Sequence, residues 1–188
     1  IGVIPSRYAS TRFPGKSIFD IQGVPMIIRV YKGTKSAKLL SDVIIATDDD
    51  RIAEVCRKYN AKYIMTAKHD SGSDRVCEIM EKTDGDFYVN IQGDEPLING
   101  ELIDKLLEPF LTNDNIEVIT MKKRIQDEDE IFSPNVVKVV CDKNDFALYF
   151  LLKSYELGKL NAKTEIEELF EKGAEIPHSS FYLQKIAN

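Results

Sequence analysis

Short apolar runs alternate along the chain with segments whose apolar residues recur at helical spacing, and that alternation is the strongest constraint on its fold. Gly2–Pro5 is a strand, followed by a polar loop through Lys16 and then a helix from Pro25 to about Lys35, with Met26, Ile27, Val30 and Tyr31 on one face. The same unit recurs as strand Asp42–Thr47 with helix Asp49–Tyr59, strand Ala61–Thr66 with helix Ser73–Lys82, and strand Asp86–Gln92 with helix Gly100–Leu111, before a strand at Ile116–Arg124. Strands separated by helices of about ten residues pair in parallel and are covered on both faces. The expected fold is therefore α/β: layered, Rossmann-like, with a mostly parallel sheet. Asn135–Cys141 and Asp145–Phe150 flank Asp142-Lys143-Asn144 and read as a β-hairpin. Thr164–Gly173 reads as a helix opened by a Thr164/Glu167 capping box and closed by Gly173. With no repeat or low-complexity linker, residues 1–188 are expected to form one domain, with a core over 1–133 and the hairpin and C-terminal helices over 134–188.

Composition narrows the function classes. The 188 residues carry 25 Lys+Arg against 31 Asp+Glu, a formal net charge of −6, which argues against a general phosphate-backbone binder and so against a nucleic-acid role. No apolar run approaches the ~20 residues that span a bilayer, so no membrane role is expected. The three cysteines, Cys56, Cys77 and Cys141, are odd in number, without a Cys-x-x-Cys pair, and fit a reducing cytoplasm. The chain opens at Ile1 rather than Met, on what reads as a strand already in progress, so residues preceding it are expected.

Open α/β sheets bind ligands at the carboxyl ends of their strands, and four loops there carry unusual residues. The first, Pro5-Ser-Arg-Tyr-Ala-Ser-Thr-Arg-Phe-Pro-Gly-Lys16, can aim backbone N–H groups and the cations Arg7, Arg12 and Lys16 at a polyphosphate. It is also consistent with a solvated basic loop. A P-loop differs from Ser10-xxxx-Gly15-Lys16-Ser17 only at its first position, but needs a helix beginning at the Lys, whereas Ser17–Gly23 reads as extended chain turning at Gln22-Gly23. The second loop, Asp48-Asp49-Asp50, could hold a metal but more simply caps the following helix. The third, His69-Asp-Ser-Gly-Ser-Asp-Arg75, combines small residues that permit close approach with Arg75, which can bond a base or phosphate. Its plain alternative is a helix start capped by Ser71 or Ser73. The fourth, Gln92-Gly93-Asp94-Glu95-Pro96, ends a strand in an amide and two acids. A carboxylate there, facing a basic phosphate loop, suits Mg²⁺ shared between protein and nucleotide phosphates. The acidic run Asp127–Glu130 is a solvated loop.

The opening block Ile4–Lys16 resembles the N-terminal signature of the 3-deoxy-manno-octulosonate (Kdo) cytidylyltransferases. Ile45-Ala-Thr-Asp48, His69–Arg75, Val89-Asn-Ile-Gln-Gly-Asp-Glu-Pro96, Pro134–Val140 and Ala147–Phe150 match in order and spacing. Tyr8-Ala-Ser-Thr-Arg12 favours this branch over the sialic-acid cytidylyltransferases, whose opening block is Gly-rich. The resemblance implies a nucleotidyltransferase fold whose hairpin serves sugar binding and dimerisation. It implies transfer of CMP from CTP to Kdo, giving CMP-Kdo and pyrophosphate for lipopolysaccharide assembly, by a cytoplasmic homodimer using Mg²⁺. It further implies that Arg7, Arg12 and Lys16 bind the CTP phosphates, with Pro5 and Ser6 near the cytosine; that Ser71 and Arg75 recognise the base; that Gln92 contacts the sugar; and that Asp94 ligates the metal. Asp94, Lys16 and Arg7 are the expected catalytic residues. After Phe150 the match breaks. Segments near Phe150/Leu151 and Phe181/Tyr182, including the family's second metal ligand, have no counterpart, although Glu165–Gly173 and Leu183–Ile186 resemble its later helices. Omission of loops from the sequence is expected over their true absence. Two rivals remain: a CTP-binding relative without turnover, and a P-loop phosphotransferase.

Overall fold

A computed structural model describes residues 1–9, 13–127, 129–130, 133, 136–151, 177–178 and 183–184. The chain divides into two compact units, Ile1–Ile119 with Leu183–Asn188, and Thr120–Tyr182.

In the first unit, strands β1 (Gly2–Ser6), β4 (Val43–Thr47), β5 (Tyr63–Met65) and β6 (Val89–Asn90) form a sheet of order β5-β4-β1-β6, every pairing parallel. Val3 lies opposite Ile44 and Ile4 opposite Ile45, so alternate residues face opposite sides of the sheet. Val3, Ile44 and Ala46 pack with Val76 and Ile79 of helix α3 (Gly72–Lys82) and with Tyr88. Ile4 and Ile27 of helix α1 (Met26–Lys35) both approach Gly93, on the other face. The sheet thus carries helices on both sides, and both faces of its strands are apolar for that reason. Helix α2 (Asp50–Lys58) starts where Asp49 accepts the Arg51 amide at 3.0 Å, the capping expected of this acid run. Helix α4 (Gly100–Leu107) starts where Asn99 accepts the Leu102 amide at 2.9 Å.

The expected turn at Gln22-Gly23 closes a two-stranded hairpin of β2 (Asp20–Ile21) and β3 (Val24–Pro25), with φ of 51° and 82° at the turn residues. Lys16–Ile18 is a single 3₁₀ turn and the first α-helix begins only at Met26, which removes the P-loop.

Several expected boundaries shift. Helix Gly100–Leu111 is α-helical only to Leu107 and tightens to 3₁₀ over Glu108–Leu111, where Pro109 has no amide to donate. The single strand Ile116–Arg124 is two strands in different sheets, β7 (Val118–Ile119) and β8 (Lys123–Arg124). Leu183–Gln184, expected as helix, is strand β12, whose backbone pairs antiparallel with β7 and supplies the partners that strand needs.

In the second unit the expected hairpin is present as β9 (Lys138–Cys141) and β10 (Ala147–Leu151), joined through Asp142, whose carboxylate accepts the amides of Asn144 and Phe146 at 2.8 and 2.9 Å. Strand β11 (Pro177–His178) lies between β9 and β8. Lys138 is buried, donates to the Ser133 carbonyl at 2.9 Å, and has its amine pKa pushed down by that burial. The helix expected at Thr164–Gly173 lies outside the described residues.

Helices α1 and α4 meet at glycines. A Cβ on Gly33 would sit 2.1 Å from the Ile98 carbonyl oxygen, and one on Gly100 would sit 2.2 Å from the Ala37 nitrogen. Alanine inside a helix ordinarily gains up to about 1 kcal/mol over glycine. Gly33→Ala should instead lose about 1–3 kcal/mol, because the obstacle is backbone and cannot rotate away. Urea unfolding checks this, and a variant as stable as the parent would contradict it.

Candidate functional site

Because β1 is flanked in parallel by β4 and β6, the loops leaving all three strands open at one edge of the sheet. Two clefts adjoin there. The larger, about 430 Å³, is lined by residues that include Arg7, Lys16, Gln92, Gly93 and Asp94. The smaller, about 240 Å³, is lined by His69–Gly72 and Arg75. Pro5, Ser6, Arg7 and Gln92 border both.

The larger cleft holds the opposed charges expected from the first and fourth loops. Lys16 Nζ donates to Asp94 Oδ2 at 2.6 Å across 78 residues of sequence, with side chains 41% and 47% exposed. An ion pair that open to water is worth about 0.2–1 kcal/mol. Both partners can therefore be exchanged, the ammonium to a phosphate and the carboxylate to a cation. Glu95 follows, its carboxyl pKa raised by burial and by the neighbouring Asp94 charge. Among the described residues no three His, Cys, Asp or Glu side chains converge as a metal cage. One half-exposed carboxylate beside a basic loop does fit Mg²⁺, which keeps most of its shell as water and ligand phosphates. Arg7 is exposed at the mouth of both clefts. Arg12 lies outside the described residues.

The smaller cleft is framed by close backbone approach: a Cβ on Gly72 would lie 3.3 Å from the Pro5 ring. Ser71 caps α3, accepting the Asp74 amide at 3.1 Å and donating to the Asp74 carboxylate at 2.7 Å. Its hydroxyl is thus engaged in the helix start. Arg75 is 3% exposed, donates to Thr66 Oγ1 at 2.5 Å and pairs with Asp48 at 3.0 Å. Sequence reasoning assigned Arg75 to the base and missed Asp48 as its partner. The signal was present in the acid run closing β4, but the pairing arises only because β4 and α3 are neighbours. Ser6, buried with its Oγ unpartnered, borders both clefts. Gln92, expected at the sugar, stands at the junction between the clefts. Phe13, Met26 and Ser17 also line the larger cleft and were not singled out from sequence.

His69 contacts Glu78 at 2.5 Å, and Glu78 also accepts from Lys82 at 2.5 Å and the Ala67 amide at 2.9 Å. This is a brace for the loop between β5 and α3 and explains the histidine without catalysis. Elsewhere, burial pushes the Cys56 thiol up to about 11, and all three cysteines are free. Among the described residues, no helix is long and apolar enough to cross a membrane.

Residues 1–170 match a family model described as Cytidylyltransferase. The 3-deoxy-manno-octulosonate cytidylyltransferase of Trichlorobacter lovleyi is 48% identical over 151 residues, covering 80% of this chain and 60% of that protein. The protein of the same name from Fusobacterium nucleatum is 47% identical over 152 residues, covering 80% and 62%. The chain thus spans about 60% of the length of these curated relatives. A solved structure of CMP:2-keto-3-deoxy-manno-octonic acid synthetase complexed with CTP superposes with a TM-score of 0.84 at 34% identity, covering 98% of this chain and 73% of that one.

The Glu78 cluster gives a pH signature. Lys82 and then His69 hold the Glu78 carboxyl down to about 2, against an ordinary 4.5. A depressed folded-state pKa contributes stability that is complete above the unfolded value and is lost as pH falls from about 4.5 toward 2. Glu78→Gln should therefore show a shallower loss of stability across that window, read by thermal melts at stepped pH. A slope identical to the parent's would contradict the cluster.

Proposed function

The chain belongs to the 3-deoxy-manno-octulosonate branch of the cytidylyltransferase family, and from that premise we propose that it transfers CMP from CTP to Kdo, releasing pyrophosphate. The observation that carries the reading is the meeting of Lys16 and Asp94, with Arg7 nearby, at the strand ends beside a second, smaller cleft. The triphosphate lies in the larger cleft against Arg7 and Lys16, with Arg12 assigned to the same phosphates by family resemblance. The base enters the smaller cleft against the wall that Pro5 and Gly72 form together, near Ser71. Buried Arg75, tied to Asp48, keeps its place in that wall and donates outward at most through hydrogens that these partners leave over. Ser6, with its unpartnered hydroxyl, sits where the nucleotide passes from one cleft to the other. Gln92 borders the α-phosphate position and faces the incoming sugar.

The anomeric hydroxyl oxygen of Kdo attacks the α-phosphorus. The bond from that phosphorus to the bridging oxygen of the β-phosphate breaks, pyrophosphate leaves, and the hydroxyl proton passes to solvent. Arg7 and Lys16 stabilise the charge that gathers on the phosphate oxygens, and fixed positioning supplies much of the remaining rate. Asp94 would hold Mg²⁺ together with ligand phosphate oxygens, and that ion would add charge neutralisation at the phosphates. The Kdo-facing part of the site, a cytoplasmic setting and homodimer formation are proposed from family membership.

Pyrophosphate release from CTP, Kdo and Mg²⁺ tests the reading. Asp94→Asn should slow turnover by about a hundredfold or more while leaving thermal stability near that of the parent. Unchanged turnover in that variant would remove Asp94 from the chemistry, and a preference for ATP with γ-phosphate transfer would overturn the reaction class.

A further inference from the structure

The basic loop that supplies the phosphate-binding cations narrows to a neck. The Gly15 amide donates to the Tyr8 carbonyl at 3.0 Å, so Arg7 immediately precedes the neck and Lys16 immediately follows it. The Ser17 hydroxyl also donates to the Arg7 carbonyl at 3.2 Å. Gly15 has φ of 73°, and a Cβ there would lie 3.2 Å from the Tyr8 ring, so the ring lies against the turn itself. On the Tyr8 ring rests the guanidinium of Arg51, its Cζ 3.2 Å from the centroid. Arg51 is in turn fixed by a two-pronged bond to Asp49, Nε to Oδ1 at 2.9 Å and Nη2 to Oδ2 at 2.6 Å. Asp49 is the N-cap of α2.

We infer that Arg51 is a positioning residue for the nucleotide site: a brace running Asp49–Arg51–Tyr8–Gly15 ties the neck of the basic loop to the start of α2 and so fixes Arg7 and Lys16. Arg51 lines neither cleft, and its side chain is 58% exposed, so its removal opens no cavity. The guanidinium carbon lies 3.2 Å from the centre of the Tyr8 ring, and stacking on an aromatic face is a contact that the flat arginine head offers and the lysine ammonium does not. The inference depends on the proposed function only in its affinity arm.

Two measurements on the full chain test it. Arg51→Ala should weaken CTP binding, by calorimetry, about twofold to fivefold, the range of one exposed cation–π contact. The Gly15 amide should exchange with solvent faster by a similar factor in the nucleotide-free protein, while amides of α1 exchange as in the parent. Tyr8→Phe, which keeps the ring, should match the parent. Tyr8→Leu should match Arg51→Ala, and the Arg51→Ala/Tyr8→Leu double variant should be no weaker than either alone. Unchanged Gly15 exchange in Arg51→Ala, or additive losses in the double variant, would overturn the brace. A parent that fails to bind CTP would instead count against the proposed function, with the exchange arm still deciding the brace.

Discussion

Parallel pairing of β1 between β4 and β6 is the constraint on which the rest of the first unit depends. It sends the chain out of three strands at the same edge and forces each return through a helix on one face or the other. Residues far apart in sequence then share a few ångströms: Lys16 with Asp94, Asp48 with Arg75, Pro5 with Gly72. The strands themselves contribute apolar filling. The chemistry sits in what leaves them.

The two ion pairs near that edge differ in what burial makes of them. Lys16–Asp94 is open to water, so the pair is weak and its members are available to a ligand. Arg75–Asp48 has its cation inside the protein, and breaking such a pair costs about 3–5 kcal/mol because a charge is left uncompensated. The first pair therefore suits exchange during binding, and the second suits a wall that must not move. Sequence motif alone places Lys16 and Arg75 in the same class of ligand-binding cation. Burial separates them.

Much of the fold was legible because it rests on periodicity and on caps with local chemistry. Ile52 and Cys56 mark the buried face of α2, the acid pair Asp49-Asp50 its start, and Gln22-Gly23 a tight turn. Boundaries failed where the deciding partner is distant. Nothing within Ile116–Arg124 says that two sheets will divide it, and Leu183–Gln184 is a strand only because β7 needs a neighbour. In the site, Lys16 and Asp94 were legible as opposite charges at strand ends. Asp48 beneath Arg75, and Arg51 on Tyr8, were not, since neither pair follows from spacing along the chain.

Division of one nucleotide between two adjoining clefts at the end of β1 is the central claim. A crystal structure of the protein soaked with CTP and Mg²⁺ tests it most directly. The expected result places the triphosphate against Arg7 and Lys16 with Lys16 drawn away from Asp94, and the cytosine in the smaller cleft beside Pro5 and Gly72. A triphosphate bound away from these cations, with the Lys16–Asp94 pair intact at its 2.6 Å separation, would contradict it.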